Sequence, residues 1–171
     1  MVHKHFSAIA AVATNWAIGY NNQLLWHIKD DFKLFRETTS GHKVLMGRKT
    51  FESFAGKPLP NRQNIIVSGS MKEVPAGCLL FNALEKAVEY LAQQPDEVFI
   101  LGGATIYQQL MPCTHNLYIS HVHASPAGDT YFPIFKETDF DIVEEQKYEQ
   151  NERNQFAFTF RKYVRKETGT N

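Results

Sequence analysis

The chain has 171 residues, 43% hydrophobic and 21% charged, which is enough apolar material for one domain around a single core and too ordinary a mixture for a disordered polymer. Eighteen basic residues balance eighteen acidic ones, so no net field draws the protein to nucleic acid or to a membrane surface, and any bound anion must be held by a local cluster. Cys78 and Cys113 stand far apart without a C-x-x-C pattern, which predicts reduced thiols and a cytoplasmic location.

Residues 1–6 carry His3, Lys4 and His5 and do not read as a secretory leader. Phe6 to Ala13 is an uncharged Ala, Ile and Val run that predicts a strand buried on both faces. Thr14 to Gln23 mixes turn formers with Trp16, Ile18 and Tyr20, and apolar residues on a long loop predict a lid. In the run Trp26 to Phe35, Ile28, Phe32 and Phe35 fall at i, i+4 and i+7 on one helical face, and Asp31 lies inside that stripe. Asp30 turns about 100° away and can sit in water at the helix N-terminus, so the adjacent aspartates should differ in environment. Taken alone, Asp31 reads more readily as part of a solvated edge, since ionised groups are seldom buried. Gly41 suits the end of this helix.

Val44-Leu45-Met46-Gly47 predicts a buried strand, and Arg48 to Phe54 a helix that opens with two cations and a hydroxyl. A helix dipole disfavours cations at that end unless an anion joins them, although taken alone the stretch reads equally as a solvated basic pair. Two prolines make residues 56–62 a loop, and Asn64 to Ser68 is the next strand. Cys78 to Phe81 predicts a short strand, Leu84, Ala87, Val88 and Leu91 an amphipathic helix ended by Pro95, and Val98 to Leu101 a further strand. Gly102 and Gly103 then lead into a helix through Ile106, Tyr107 and Leu110, stopped by Pro112. Such a strand, glycine turn and helix suits a diphosphate, but it is not G-x-G-x-x-G and reads equally as a plain turn. Asn116 to His123, Phe140 to Tyr148 and Phe156 to Val164 complete the strands, with Phe156, Phe158 and Phe160 on one face. Strands that alternate with helices need crossovers, while the last pair needs only a hairpin, so the pattern gives a mostly parallel α/β core with an antiparallel edge. His121 and His123 share a face without a third ligand, so no metal site is predicted; His3, His5, His42 and His115 are expected to face solvent, and His27 to position the lid.

Five stretches occur together in the order seen in bacterial dihydrofolate reductases, which the chain therefore resembles over about residues 6–164. They are Trp26 to Phe35, Met46-Gly47-Arg48-Lys49-Thr50-Phe51-Glu52-Ser53, Pro58 to Asn64, Leu101-Gly102-Gly103 to Tyr107, and Gly128-Asp129-Thr130-Tyr131-Phe132-Pro133. The resemblance implies one domain over 1–171 with loose ends, and a central mixed, mostly parallel eight-stranded sheet with helices on both faces. It implies reduction of 7,8-dihydrofolate by NADPH, a monomer, and binding of antifolates such as trimethoprim.

Residue by residue, the resemblance assigns the chemistry to Asp31, with Trp26 and Leu24 from the lid. Ile9, Ala10, Ala11, Phe32, Leu101, Tyr107 and Ser120 would surround the pterin, and Phe35, Ser53, Phe54 and Leu59 the aminobenzoyl group. Arg62 would pair with the glutamate α-carboxylate, helped by Lys57, because a planar guanidinium suits a carboxylate. Ala11, Ile18, Gly19, Asn22, Gln23, Leu101, Gly102, Gly103, Ala104, Thr105, Ile106, Tyr107 and Gln109 would hold the nicotinamide and diphosphate. Gly47, Arg48, Lys49, Thr50, Ser68 and Gly69 would grip the adenosine side with its 2′-phosphate, and a cis bond is implied between the two glycines. The chain departs from the family pattern at Leu25 for proline, Phe51 for tryptophan, Ala104 for glycine, Thr105 for arginine and Ser120 for threonine.

Reduction of N5=C6 needs a hydride at C6 and a proton at N5. Asp31 would lie too far from N5 for direct transfer, so water should deliver the proton while the ionised carboxylate biases the ring. Two rivals share the fold: a pyrimidine reductase of riboflavin synthesis, which lacks the Trp26 to Phe35 run, and a non-catalytic pterin or nucleotide-binding module.

Overall fold

The structure is a computed structural model and describes residues 1–167. Its centre is an eight-stranded sheet. In chain order the strands and helices of the main layers are β1 (His3–Ala13), β2 (Ala17–Gly19), α1 (Lys29–Thr39), β3 (Lys43–Gly47), α2 (Arg48–Ser53), β4 (Gln63–Val67), β5 (Leu79–Phe81), α3 (Leu84–Ala92), β6 (Val98–Gly102), α4 (Ala104–Leu110), β7 (Thr114–Val122), β8 (Thr130–Tyr131), β9 (Phe140–Tyr148) and β10 (Phe158–Arg165). The sheet order is β5-β4-β3-β6-β1-β7-β10-β9, parallel from β5 to β7 and antiparallel at β10 and β9.

Both faces of the parallel part are covered, which is why its strands read as unbroken apolar runs. Along β3, Leu45 joins Ala87 and Leu91 of α3 and Tyr107 and Leu110 of α4, while Val44 and Met46 join Phe51 of α2, with Phe35 of α1 packed against them. The period of two thus puts α3 and α4 on one face, α1 and α2 on the other. The C-terminal ends of β1, β3, β4 and β6 form one edge, where ligands of such sheets bind.

Pairing between β1 and β6 covers only Phe6, Ala8 and the residue between them against Val98 to Ile100. Beyond that point the two central strands part, and a gap opens at their carboxyl ends.

Several expectations are corrected. The lid is not all loop: β2 lies within it and pairs with β8, a strand that no periodicity announced. Gly128 makes this possible, since a Cβ there would meet the Ala17 Cβ at 2.5 Å. The helix starts at Lys29, so Ile28 precedes it with extended backbone and is fully buried beside Trp26, Ala13 and Phe158. Phe156 precedes β10, leaving Phe158 and Phe160 as its buried pair. The four histidines expected in solvent are half-buried. β1 already begins at His3, so the His3 ring packs 4.6 Å from that of Phe6, and His5 Nε2 lies 2.9 Å from the Leu91 carbonyl oxygen. His42 packs edge-on against Phe99, and burial lowers the pKa of His115.

Candidate active site

Asp31 occupies the first turn of α1 and projects towards β7. Its Oδ1 accepts a hydrogen bond of 2.6 Å from Ser120 Oγ, and Ser120 sits opposite Ala11 in the β1–β7 register. The residue keeps some surface on the cleft, but its carboxyl is enclosed by protein, and that burial pushes the pKa up to about 6 against the opposing pull of the Ser120 hydroxyl. Asp30 is not left in water. It accepts from Asn154 Nδ2 at 2.8 Å and Arg153 Nε at 2.9 Å, and these partners hold its carboxyl below the usual range, the Asn154 bond first. The adjacent aspartates differ as the helical pitch required.

Ile9 and Ala11 lie on the same sheet face as Asp31, whereas Ala10 packs with the opposite cluster, under α4. Tyr107, also from that side, reaches the gap between β1 and β6 and donates its hydroxyl to the Ile9 carbonyl at 2.6 Å. This bond serves a carbonyl just beyond the last β1–β6 pair, and burial raises the phenol pKa well above its ordinary value.

Phe32 and Phe35 are half-buried on the cleft side of α1. The Phe35 and Phe54 rings face each other nearly parallel, 6.4 Å apart, with Leu59 in the same cluster. Arg62 stands at the mouth of this slot, its guanidinium 5.9 Å from the centre of the Phe35 ring. It is fixed by Nη1 donating to Thr39 Oγ1 at 3.0 Å and Nε to the Pro60 carbonyl at 2.8 Å. Burial, and then the nearby Arg36 cation, lower its pKa. Arg36 is thus a second positive charge at the mouth that the sequence reading missed; lying one position after Phe35, it had no pattern to mark it. Ser53 and Lys57 are exposed at the rim.

The two glycine-bearing turns come together. Gly102 has φ +107°, and a Cβ there would lie 2.8 Å from the Tyr107 ring; the Gly102–Gly103 peptide is cis. A Cβ on Gly103 would lie 3.7 Å from Thr50 Oγ1, and one on Gly47 3.1 Å from Ile106 Cδ1, so the starts of α2 and α4 abut. Arg48 is held by Glu52, 2.8 and 3.0 Å from its two carboxylate oxygens, while Lys49 is exposed. Ser68 Oγ accepts from the backbone N–H groups of Ser70 and Met71, and Gly69 beside it is exposed. Along α4, Ala104 is half-buried, and Thr105 and Gln109 are exposed.

Asn22 from the lid joins Arg48, Lys49, Glu52 and Ser53 around a concavity of about 220 Å³. The lid is tied down by Asp129, whose Oδ2 accepts from the Asn21 N–H at 2.9 Å and whose own N–H donates to the Gly19 carbonyl at 3.0 Å. Gln23 pairs with Tyr20 through backbone bonds. Ile18 packs against the α3 and α4 side, Leu24 is two-thirds exposed, and Trp26, near the end of the lid segment, is buried. Sequence reading quoted Asp129 only as part of a motif, because its partners lie more than a hundred residues away.

Among the described residues no group of three His, Cys, Asp or Glu is placed to hold a metal ion. His121 bonds to the Tyr163 hydroxyl and His123 to Thr159. The His27 ring lies edge-on against Phe32.

A family model described as dihydrofolate reductase matches residues 5–165. The chain is 38% identical over 160 residues to a dihydrofolate reductase of Bacillus subtilis strain 168, covering 94% of each chain. It is 40% identical over 158 residues to one of Neisseria gonorrhoeae, covering 92% of this chain and 96% of the relative. Among solved structures it is similar to the dihydrofolate reductase of Enterococcus faecalis complexed with NADP(H) and RAB-propyl, with a TM-score of 0.87, 28% identity, and coverage of 97% of this chain and 99% of that one.

Proposed function

The chain belongs to the dihydrofolate reductase family, and we propose from that premise that Asp31 is the group on which its chemistry turns. The reaction is reduction of 7,8-dihydrofolate to tetrahydrofolate with NADPH. The observation that carries our reading is the enclosed carboxyl of Asp31, hydrogen-bonded to Ser120 and pushed up to about 6, on the face where β1 and β6 part.

A carboxylate there suits the edge of a pterin, whose 2-amino and N3 groups are paired donors. Its negative charge in a poorly solvated site favours protonation of the bound ring at N5, and the proton comes through water because the carboxyl stands at the far edge. Ile9 and Ala11 form the floor, Phe32 and Leu101 the sides, and Phe35, Phe54 and Leu59 the slot for the aminobenzoyl ring. Arg62, already braced, receives the glutamate carboxylate, with Arg36 adding positive potential at the mouth. The lid segment 14–27, latched by Asp129, excludes bulk water.

The residues present fit NADPH. Gly102 carries no Cβ where one would crowd Tyr107, Gly103 brings the start of α4 against Thr50, and the α2 start offers Arg48, Lys49 and Thr50 to phosphate. NADPH supplies the hydride. Arg48, Lys49 and Ser68 hold its adenosine phosphate, and Ile18, Gly19, Gly102 and Gly103 orient its nicotinamide end. No helix among the described residues is long and apolar enough to cross a membrane. Cys78 and Cys113 are both free, as thiols are in a reducing compartment, and we place the enzyme in the cytoplasm as a monomer that also binds antifolates.

The test is single-turnover hydride transfer at pH 7 with saturating NADPH and dihydrofolate. Asp31→Asn should lower the rate about a hundredfold or more and regain activity in acid, where the substrate arrives protonated. Full activity of that variant at pH 7 overturns the assignment, and tight folate binding without NADPH oxidation by the wild type points to the silent module instead.

A further inference from the structure

The helix that carries Asp31 lacks a cap of its own. Ile28, at the N-cap position, has no side-chain acceptor to offer, and a helix start leaves its first N–H groups unpaired unless something else reaches them. That partner comes from the turn between β9 and β10. Asn154, 1% exposed, accepts the Asp30 N–H on Oδ1 at 3.1 Å and donates from Nδ2 to Asp30 Oδ2 at 2.8 Å and to the Glu149 carbonyl at 3.2 Å. The same turn binds backbone to backbone, with the Lys29 N–H on the Arg153 carbonyl at 2.9 Å and the Gln155 N–H on the His27 carbonyl at 3.2 Å. Asn154 is itself fixed by Asn151, which accepts its N–H on Oδ1 at 3.1 Å.

We propose that Asn154 is a positioning residue for the reduction: by capping α1 from the β9–β10 turn it fixes the peptide next to Asp31 and so holds that carboxyl on Ser120. The proposal rests on the role given to Asp31 above. Three features favour it. A buried carboxamide leaving none of its side-chain groups unused is rigid, because each alternative rotamer abandons a bond in a site water does not reach. Its bonds end on the residue before Asp31, so a shift of the turn moves the start of α1. Ser120 also lies on β7, which pairs with β10, and Asn154 lies in the turn that leads into β10, so the same run of paired strands holds both the carboxyl and the helix that presents it.

Arg153, 54% exposed on its side chain, adds only a surface ion pair to Asp30 and is not the anchor.

The experiment exchanges donor and acceptor. Asn154→Asp sets two carboxylates against each other and should lower kcat/KM for dihydrofolate at least tenfold, with single-turnover hydride transfer falling too and NADPH affinity changing less than twofold. Asp30→Asn combined with Asn154→Asp restores a donor facing an acceptor between these two residues, though not the bond to the Glu149 carbonyl, and should recover at least severalfold of that loss. Rates are measured well below each variant's Tm, so lowered stability alone leaves them unmoved. Arg153→Ala, which keeps both Asn154 bonds, should stay within threefold of wild type. Normal kcat/KM in Asn154→Asp, a parallel loss of NADPH affinity, or failure of the exchange to recover activity overturns the proposal. Should Asn154→Asp not fold, the exchanged pair alone decides, since turnover within about fivefold of wild type supports the proposal and a loss of tenfold or more rejects it. Unchanged turnover in Asp31→Asn instead removes the reading of Asp31 on which it rests.

Discussion

At Asp31 the polar groups are committed before any ligand arrives: Ser120 holds the carboxyl, Asn154 the helix start, and burial raises the pKa to about 6. At Lys49, some of the same kinds of parts are arranged loosely. The lysine is exposed, Arg48 is held by a neighbour on its own helix, and the concavity they line is open to the lid. A charge in an enclosed site acts on chemistry, because water does not relax around it. A charge in an open one acts on affinity and is screened by salt.

The sharpest way to break this contrast is the stability of Asp31→Asn. The native carboxyl has a pKa above its unfolded value, so the folded state binds a proton more tightly than the unfolded one. That raised pKa costs stability as pH rises from about 4 to about 6, and the full cost stands above that. Urea unfolding of the ligand-free protein at pH 7 should therefore show Asp31→Asn more stable by up to about 3 kcal/mol, from roughly 1.36 kcal/mol per unit. The gain should vanish near pH 4, and a pH-independent difference would contradict an enclosed acid.

Gly102→Ala probes the junction between the two regions. A left-handed φ of +107° and a Cβ 2.8 Å from the Tyr107 ring should cost about 2–3 kcal/mol and weaken NADPH binding, read from urea midpoints and cofactor titration. Lys49→Ala should lower NADPH affinity about tenfold, as for one charge-assisted contact, with a smaller loss for NADH. Equal losses would show that Lys49 does not read the 2′-phosphate. Smallest is Glu52→Gln. An exposed i,i+4 pair is worth about 0.3–0.5 kcal/mol, so freeing Arg48 should tighten NADPH about twofold at low salt and not at high salt.

The amino-acid order by itself determined the layered α/β pattern, because β3, β4 and β6 are apolar on both faces and the intervening helices keep their spacing. It also determined that Asp30 and Asp31 must differ, since adjacent helical residues diverge whatever they pack against. Local pattern has less hold on short or irregular backbone. β2 and β8 are strands because Gly128 lets Ala17 approach, Ile28 leaves the helix because the cluster of Trp26 and Phe158 takes it, and Phe156 leaves β10 because pairing with β9 begins at Phe158. Tertiary structure alone decided the parting of β1 from β6, the Tyr107 bond to Ile9, the latch at Asp129 and the cap from Asn154. The last three each join groups about a hundred residues apart through one or two directed bonds, and such bonds leave no periodicity in the chain, whereas burial of a whole face repeats every second or every third to fourth residue.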